Sequence, residues 1–475
     1  MNKPAIALGG ALAVALLGLP PVLGMVTEAQ IAQRVASLQG HPLVTAELQS
    51  FDRGWFGSRA RIGLGLSPAY AAQVAASTPG ASPEELAQRA TIVVDIAHGP
   101  VAVGDGVHFG LSSFVARLDP DTAGMGALLE RLRIPYLFEF RGRTGLSGVL
   151  DFDADLPAFE LDEPEGHLSF AGATLEGSLD GTLLEYRARS DHFRAAPSGQ
   201  PSVALEGLRM SADVDVRSAY LMLGTMDGEV DRLQVWDPAA TSVLDASGFR
   251  IAGEWRPNET GDRLDASLTY TLASATGTGN IDLADAALGV TVRDVDLAAA
   301  QAYYETLQRA TANGPRDPDV LLADLEPVIR RFLASSPSMV VEPLRFHWQG
   351  EPFDANVLIE IDGTALPPAG AFDVRSPAFW VGAVDATAQA NVSKKLAEDV
   401  TARVLTLQLA SALGGDGALP AEQLEHMARA QAGLMLVNLV TQGLLLDDGE
   451  RYSTALEFRD GAVTINGNPL PVGLP

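Results

Sequence analysis

The chain has 475 residues, 47% apolar and 20% charged, which fits a folded body of two or three subdomains and excludes a disordered one. Sixty acids against 33 Lys and Arg give a net charge of -27, which repels phosphate backbones and anionic lipid surfaces at long range and argues against nucleic acid as a ligand. The chain has no cysteine, so disulfides, thiol nucleophiles, Cys-based zinc sites and a lipoprotein acyl anchor are all ruled out.

Met1-Asn2-Lys3 precedes an uncharged run from Pro4 to Val26, and Glu28 is the first charge after it. About 20 apolar residues in a helix cross a bilayer core. The charge before the run places Lys3 in the cytoplasm and the body outside. The alternative, a cleaved signal peptide ending at Val22-Leu23-Gly24, has a poor small-residue site because Val22 stands where a small side chain is wanted. The expectation is a retained inner-membrane anchor over residues 4–26, with Thr27–Leu38 carrying the helix further.

Most of the body alternates with period two, as half-buried strands do. Arg263–Leu272 puts Leu264, Ala266, Leu268, Tyr270 and Leu272 on one face. Leu146–Leu156 and Tyr452–Arg459 repeat the pattern, and further strands are read at Thr91–Ala97, Val107–Leu118, Asp213–Arg217, Val340–Trp348 and Ala355–Ile361. Turn signals such as Asp448-Gly449 and Asn466-Gly467 separate them. One apolar face per strand predicts antiparallel sheet, and the lack of βαβ alternation disfavours a doubly wound fold.

Helical spacing predicts a short helix at Pro83–Arg89, capped by Ser82 with Glu85 three residues on. Asp296–Ala312 and Asp319–Ala334 flank Asn313-Gly314-Pro315 and read as a helical hairpin. Asp385–Leu413 and Pro420–Leu445 read as a second pair. The uncharged stretch Ala430–Leu446 is taken as a buried protein helix, because Gln431, Asn438, Thr441 and Gln442 disfavour a membrane span.

Tests for chemistry return little. Asp151-Phe152-Asp153-Ala154-Asp155 begins like a calcium loop, but Leu156 and Asp162 stand where glycine and glutamate are needed. Alternation instead makes it a strand with a solvated acidic face. None of the seven histidines forms a His-x-His or His-Glu-x-x-His pair, so no metal is expected. Nucleophile-elbow, Walker and Ser-x-x-Lys motifs are missing, and no cofactor or catalytic residue is assigned.

Four patterns in order carry a resemblance. They are Phe51-Asp52-Arg53-Gly54-Trp55-Phe56-Gly57-Ser58, then Ile96-Ala97-His98-Gly99-Pro100, then Ala383-Val384-Asp385-Ala386. The last is Gly449-Glu450-Arg451-Tyr452 leading to Gly461-Ala462-Val463-Thr464-Ile465-Asn466-Gly467-Asn468-Pro469. Together they resemble the YdgA-like family of Gram-negative envelope proteins, whose domain has no known function. The resemblance implies an inner-membrane anchor and a periplasmic body, and brings no catalytic residues. A distant likeness to AsmA-like proteins implies curled sheets that carry lipid along an apolar groove. Physically the motif residues Arg53, Gly54, Trp55, His98, Gly99, Pro100, Asp385, Asn466 and Gly467 read as structural: a turn with an anchoring indole, a strand end, and a type I′ hairpin turn.

The expected fold is α+β, mostly β: large curved antiparallel sheet with two helical hairpin insertions and an N-terminal transmembrane helix. The expected segments are 1–26 as anchor, 27–295 as a β-rich periplasmic region, 296–335 as the helical hairpin, and 336–475 as C-terminal strands plus a helix pair. The leading expectation is a non-enzymatic envelope protein that binds lipid or another apolar ligand on an uncovered sheet face. Two alternatives remain: an assembly scaffold that meets other envelope proteins through its acidic face, and a hydrolase with an unrecognised acid pair.

Overall fold

The computed structural model describes residues 25–470, apart from 26, 30, 34, 37, 39–42, 78–81, 100, 105, 123–124, 218–220, 313–317, 369–371 and 413–419. The expected anchor over 4–26 therefore lies almost wholly outside the described residues. Among the described residues, no helix is long and apolar enough to cross a membrane. The described part of Thr27–Leu38 is helical.

Two compact units divide the chain: residues 1–228 with 303–324, and residues 229–302 with 325–475. The first unit is built from antiparallel pairs. Its strands are β1 (Val44–Arg53), β2 (Gly57–Leu66), β3 (Ala90–His98), β4 (Val101–Gly104), β5 (Gly106–Phe109), β6 (Ser112–Leu118) and β7 (Glu139–Thr144). They continue with β8 (Leu150–Leu156), β9 (Phe159–Glu163), β10 (Gly166–Phe170), β11 (Ala173–Asp180), β12 (Leu183–Pro197) and β13 (Ser202–Val216). Pairing runs β1–β2–β3–β6–β7–β8–β11–β12–β13, while the β9–β10 hairpin joins the far half of β12. β4 and β5 form a separate hairpin.

Why these segments are strands is visible across the pairs. On one face, Ala60, Val94, Ala116, Phe140, Ala154, Leu175, Ala188 and Met210 lie directly opposite one another in register. Phe114, Phe140 and Phe152 stack along it at 5.8 and 5.5 Å. Cross-strand aromatic pairs of this kind hold register. A small core of Leu129, Leu132 and Ile134 closes over Phe159 and Leu161.

β14 (Met222–Trp236) contributes residues to both units. The second unit holds β15 (Ser242–Pro257), β16 (Arg263–Gly277), β17 (Ile281–Asp296), β18 (Ser338–Trp348), β19 (Glu351–Ile361) and β20 (Val384–Ser393). It ends with β21 (Leu446–Asp447), β22 (Arg451–Arg459), β23 (Ala462–Ile465) and β24 (Asn468–Leu470). They pair antiparallel in the order β15–β16–β17–β18–β19–β20–β22–β23–β24.

The mostly-β expectation stands, and three details change. Val107–Leu118 is two strands, β5 and β6, broken at Gly110-Leu111. Leu146–Val149 is a turn, so the strand read at 146–156 starts only at Leu150. The helix read at Asp385–Leu413 is a strand through Ser393 and a helix only from Lys394. Val384, Ala386, Ala388, Ala390 and Val392 alternate with Asp385, Thr387, Gln389 and Asn391, and that period-two signal outweighs the helix propensity of alanine. Ser393 then caps the helix, its Oγ accepting from the Leu396 N–H at 3.1 Å.

The capped helix Pro83–Leu86 forms with Ser82 Oγ accepting from Glu85 N–H. Leu297–Ala312, Pro318–Ala334, Lys394–Ala412 and Ala421–Thr441 are helical as read. Helices at Pro68–Ser77, Met125–Leu132 and Pro377–Ala383 add to those the spacing predicts. The last long helix is not a buried one. It buries Ala428, Ala432 and Leu436 against its partner and leaves Leu434, Met435 and Val437 exposed. Small alanines let the two helices approach on one face only.

Candidate functional site

The first two sequence motifs meet in the first unit. β2 and β3 pair so that Ser58 faces Ile96 and Gly57 faces Ala97. The His98 backbone N–H donates to the Phe56 carbonyl at 2.8 Å, and Gly99 N–H donates to the Leu111 carbonyl at 2.8 Å. His98 is 1% exposed, and its Nε2 shares a 2.8 Å hydrogen bond with the Ser58 hydroxyl. Burial pushes the imidazole below its ordinary pKa, so the ring is neutral near pH 7. A serine within hydrogen-bond reach of a histidine is the geometry of nucleophile and base. A working pair also needs a group that orients the far ring nitrogen, and among the described residues nothing bonds His98 Nδ1. Both side chains are buried, which suits a polar clamp between strands. Pro100 lies outside the described residues.

On the opposite face of β2, β3, β6 and β7 lies an open cleft of about 780 Å³. Register explains its hollow. Gly57, Ala97 and Ser113 stand opposite one another and carry almost no side chain, and Arg143 ends the row. Beside it runs Arg59–Asp95–Val115–Arg141, and beyond that Arg117 opposite Glu139. Arg53, Gly54 and Phe56 from the β1–β2 turn line the rim. Trp55 and Phe56 are 59% and 55% exposed, so the indole expected to anchor the turn points outward.

Glu139 organises the arginines. Its carboxylate is 2% exposed, one oxygen taking Arg117 and the other Arg141. Arg59 is paired to Asp95 at 2.6 Å, and its guanidinium pKa is raised by that hydrogen bond. Arg53 pairs with Glu28. Arg143 makes no ion pair among the described residues, although Asp151 stands opposite it on β8. Sequence reasoning did not single out Glu139, Arg141 or Arg143. The alternation in Glu139-Phe140-Arg141-Gly142-Arg143 was the available signal, because it puts all three charges on one face.

The remaining motif residues lie in the second unit. Asp385, the second residue of β20, stands opposite Glu360 and reaches Arg459 at 3.4 Å. Asn466 and Gly467 have φ of 51° and 76°, the positive values of a type I′ turn between β23 and β24. Asn466 also bridges the chain: Oδ1 accepts from Ala455 N–H at 2.8 Å and Nδ2 donates to the Gly443 carbonyl at 2.9 Å.

This unit has a second feature with functional potential. Trp255, Ala266, Val292, Met339, Ile359, Ala386, Phe458, Val463 and Leu470 form one unbroken cross-strand row over β15 to β24. Every one is half-buried; none is fully covered. The adjacent row runs Leu268, Val290, Val341, Val357, Ala388, Leu456 and Ile465, with Leu456 exposed. The helix Lys394–Ala412 packs on β19, β20 and β22, where Lys394 Nζ stands 5.4 Å from the ring centre of the buried Tyr452.

The β9–β10 register also brings Glu160, Asp162 and His167 together, with ligand atoms within 4.8 Å of one another. His167 Nδ1 is hydrogen-bonded to Asp162 at 2.6 Å, an exposed pair. No sequence spacing announced this cluster, because the hairpin and not a local motif assembles it.

No curated protein and no solved structure matches the chain. A family model described as "Bacterial protein of unknown function (DUF945)" matches residues 1–473. The chain is therefore a member of the DUF945 family of bacterial proteins.

Proposed function

We propose that this is a membrane-tethered, non-enzymatic binding protein of the bacterial envelope that holds acyl chains on the apolar face of its second unit. One observation carries the reading: the nine-residue row from Trp255 to Leu470, apolar in every strand and fully buried in none. A sheet face packed against a second layer would bury such residues, because burial of a Val, Leu or Phe side chain is worth about 1.5–3 kcal/mol. Contiguous exposed apolar surface marks a place where something else binds. An acyl chain suits it, being apolar throughout and long enough to cross several strands about 4.8 Å apart. The uncharged run Pro4–Val26, preceded by Lys3, supports tethering with the body outside the cytoplasm.

The test is native mass spectrometry with lipid extraction on the full chain in a neutral detergent. Expected is phospholipid or fatty acid at near one per chain, lost in Val290→Asp, which places a carboxylate in the middle of the face. A lipid-free wild type, or unchanged lipid in a folded Val290→Asp, rejects the reading.

A further inference from the structure

Among the described residues of the first unit, the five most exposed large apolar side chains are Trp55, Phe56, Phe109, Leu146 and Leu183, at 53 to 78%. Register collects them at one end of the sheet. Trp55 and Phe56 sit in the β1–β2 turn, Phe109 in the β3–β6 connection, Leu146 in the β7–β8 turn and Leu183 at the head of β12. The pairs that close these connections, Arg53–Ser58, His98–Ser112, Thr144–Leu150 and Asp180–Leu183, all lie at that end. We infer that this end of the first unit docks on a membrane, its apolar tips entering the headgroup layer of a zwitterionic phospholipid bilayer. The inference rests on the tether of the proposed function.

The two ends of the sheet are built differently. At the far end the connections fold back as helices, Pro68–Ser77 and Pro83–Leu86 after β2 and Met125–Leu132 after β6. Leu129 and Leu132 of the last pack against Phe159 and Leu161 of β9. At the near end β1–β2, β7–β8 and β11–β12 are joined by short turns, so an apolar side chain there has no layer to fold under. Scattered exposed hydrophobes are ordinary, but these share one edge. Successive tips lie two strands apart, about 10 Å, a spacing that a plane meets all at once. Trp55 suits the headgroup level, with an apolar ring system and one N–H donor.

The chain enters the body at this same end. Glu28, two residues after the uncharged run Pro4–Val26, pairs with Arg53, two residues before Trp55. A tether that joins the body here holds this edge of the sheet toward the membrane. Little of the net charge of -27 lies in these connections, which hold Asp52, Asp105 and Asp180 against Arg53 and Arg143. Such a rim gains nothing from anionic lipid, and apolar insertion into a zwitterionic surface is what its side chains can do.

The chain has no cysteine, so one introduced cysteine carries one label. Full-length Leu146→Cys, Leu183→Cys and Gln200→Cys, each labelled with bimane, are placed in phosphatidylcholine nanodiscs with and without nitroxide-headgroup lipid. Gln200 is exposed in the β12–β13 turn at the far end. Expected is loss of most of the emission at Leu146→Cys and Leu183→Cys, and no loss at Gln200→Cys. Adding Phe109→Glu and Leu146→Glu to Leu183→Cys is expected to restore its emission. Equal quenching at all three positions, full emission at both tips in disc-bound protein, or quenching untouched by the two glutamates overturns the docking and leaves the tether standing. Unquenched tips with a disulfide between unlabelled Leu146→Cys copies overturn it in favour of a self-contact. Protein that does not stay with the discs rejects the tether, and this inference with it. Acyl carriage does not enter the readout, because every label is in the first unit.

Discussion

The Ser58 hydroxyl and His98 Nε2, forty residues apart in sequence, meet at 2.8 Å in the interior of the first unit. This bond ties the Phe51–Ser58 motif to the Ile96–Pro100 motif, and does so on the face of the sheet opposite the arginine side chains of the cleft.

The pair predicts how stability depends on pH. Unfolded, His98 takes up a proton near its ordinary value of 6.5; folded, burial holds the ring neutral to lower pH. Between those two values the unfolded state binds more protons, so the contribution is complete above 6.5 and is lost as pH falls through the folded value. Urea midpoints followed from about pH 7.5 down to about pH 5 are expected to fall more steeply in the wild type than in His98→Gln. Parallel pH profiles for the two proteins would contradict the assignment.

Glu139 is expected to matter for both fold and cleft. Glu139→Gln keeps the shape but removes the charge that holds Arg117 and Arg141, at a cost of about 1.5–3 kcal/mol in chemical denaturation. A variant as stable as the wild type would mean that the arginines are positioned by something else.

Gly99 and Gly433 are expected to respond oppositely to alanine. A Cβ on Gly99 would stand 1.7 Å from the Gly110 carbonyl oxygen, a backbone atom that cannot step aside. Gly99→Ala is expected to cost about 3 kcal/mol, the upper part of the range for overpacking. Gly433 lies inside the helix Ala421–Thr441, where an added methyl would meet nothing within 4 Å. Gly433→Ala is expected to stabilise by about 1 kcal/mol. Thermal melts of the two variants beside the wild type check both signs.

Asn466→Ala removes two hydrogen bonds and a residue suited to positive φ. The expected loss is about 2 kcal/mol, with Asn466→Gly recovering only the backbone share. Amide exchange at Ala455, whose N–H is held by Asn466, is expected to accelerate in both variants.

Local pattern alone determined the strand character of this protein, because side-chain alternation is a property of neighbouring residues. It determined where Ser82 starts a helix and where Asn466-Gly467 turns a hairpin, since caps and turns are made by adjacent groups. It misjudged Val384–Ser393, where alanine suits both helix and strand and only pairing with β19 and β22 decides. Tertiary structure alone decided what lies opposite what. The sharing of Glu139 by Arg117 and Arg141, the row of small residues that opens the cleft, and the union of Ser58 with His98 all depend on register between distant strands. So does the apolar row from Trp255 to Leu470: each strand declares one apolar side, but pairing aligns those sides, and packing leaves them half-covered.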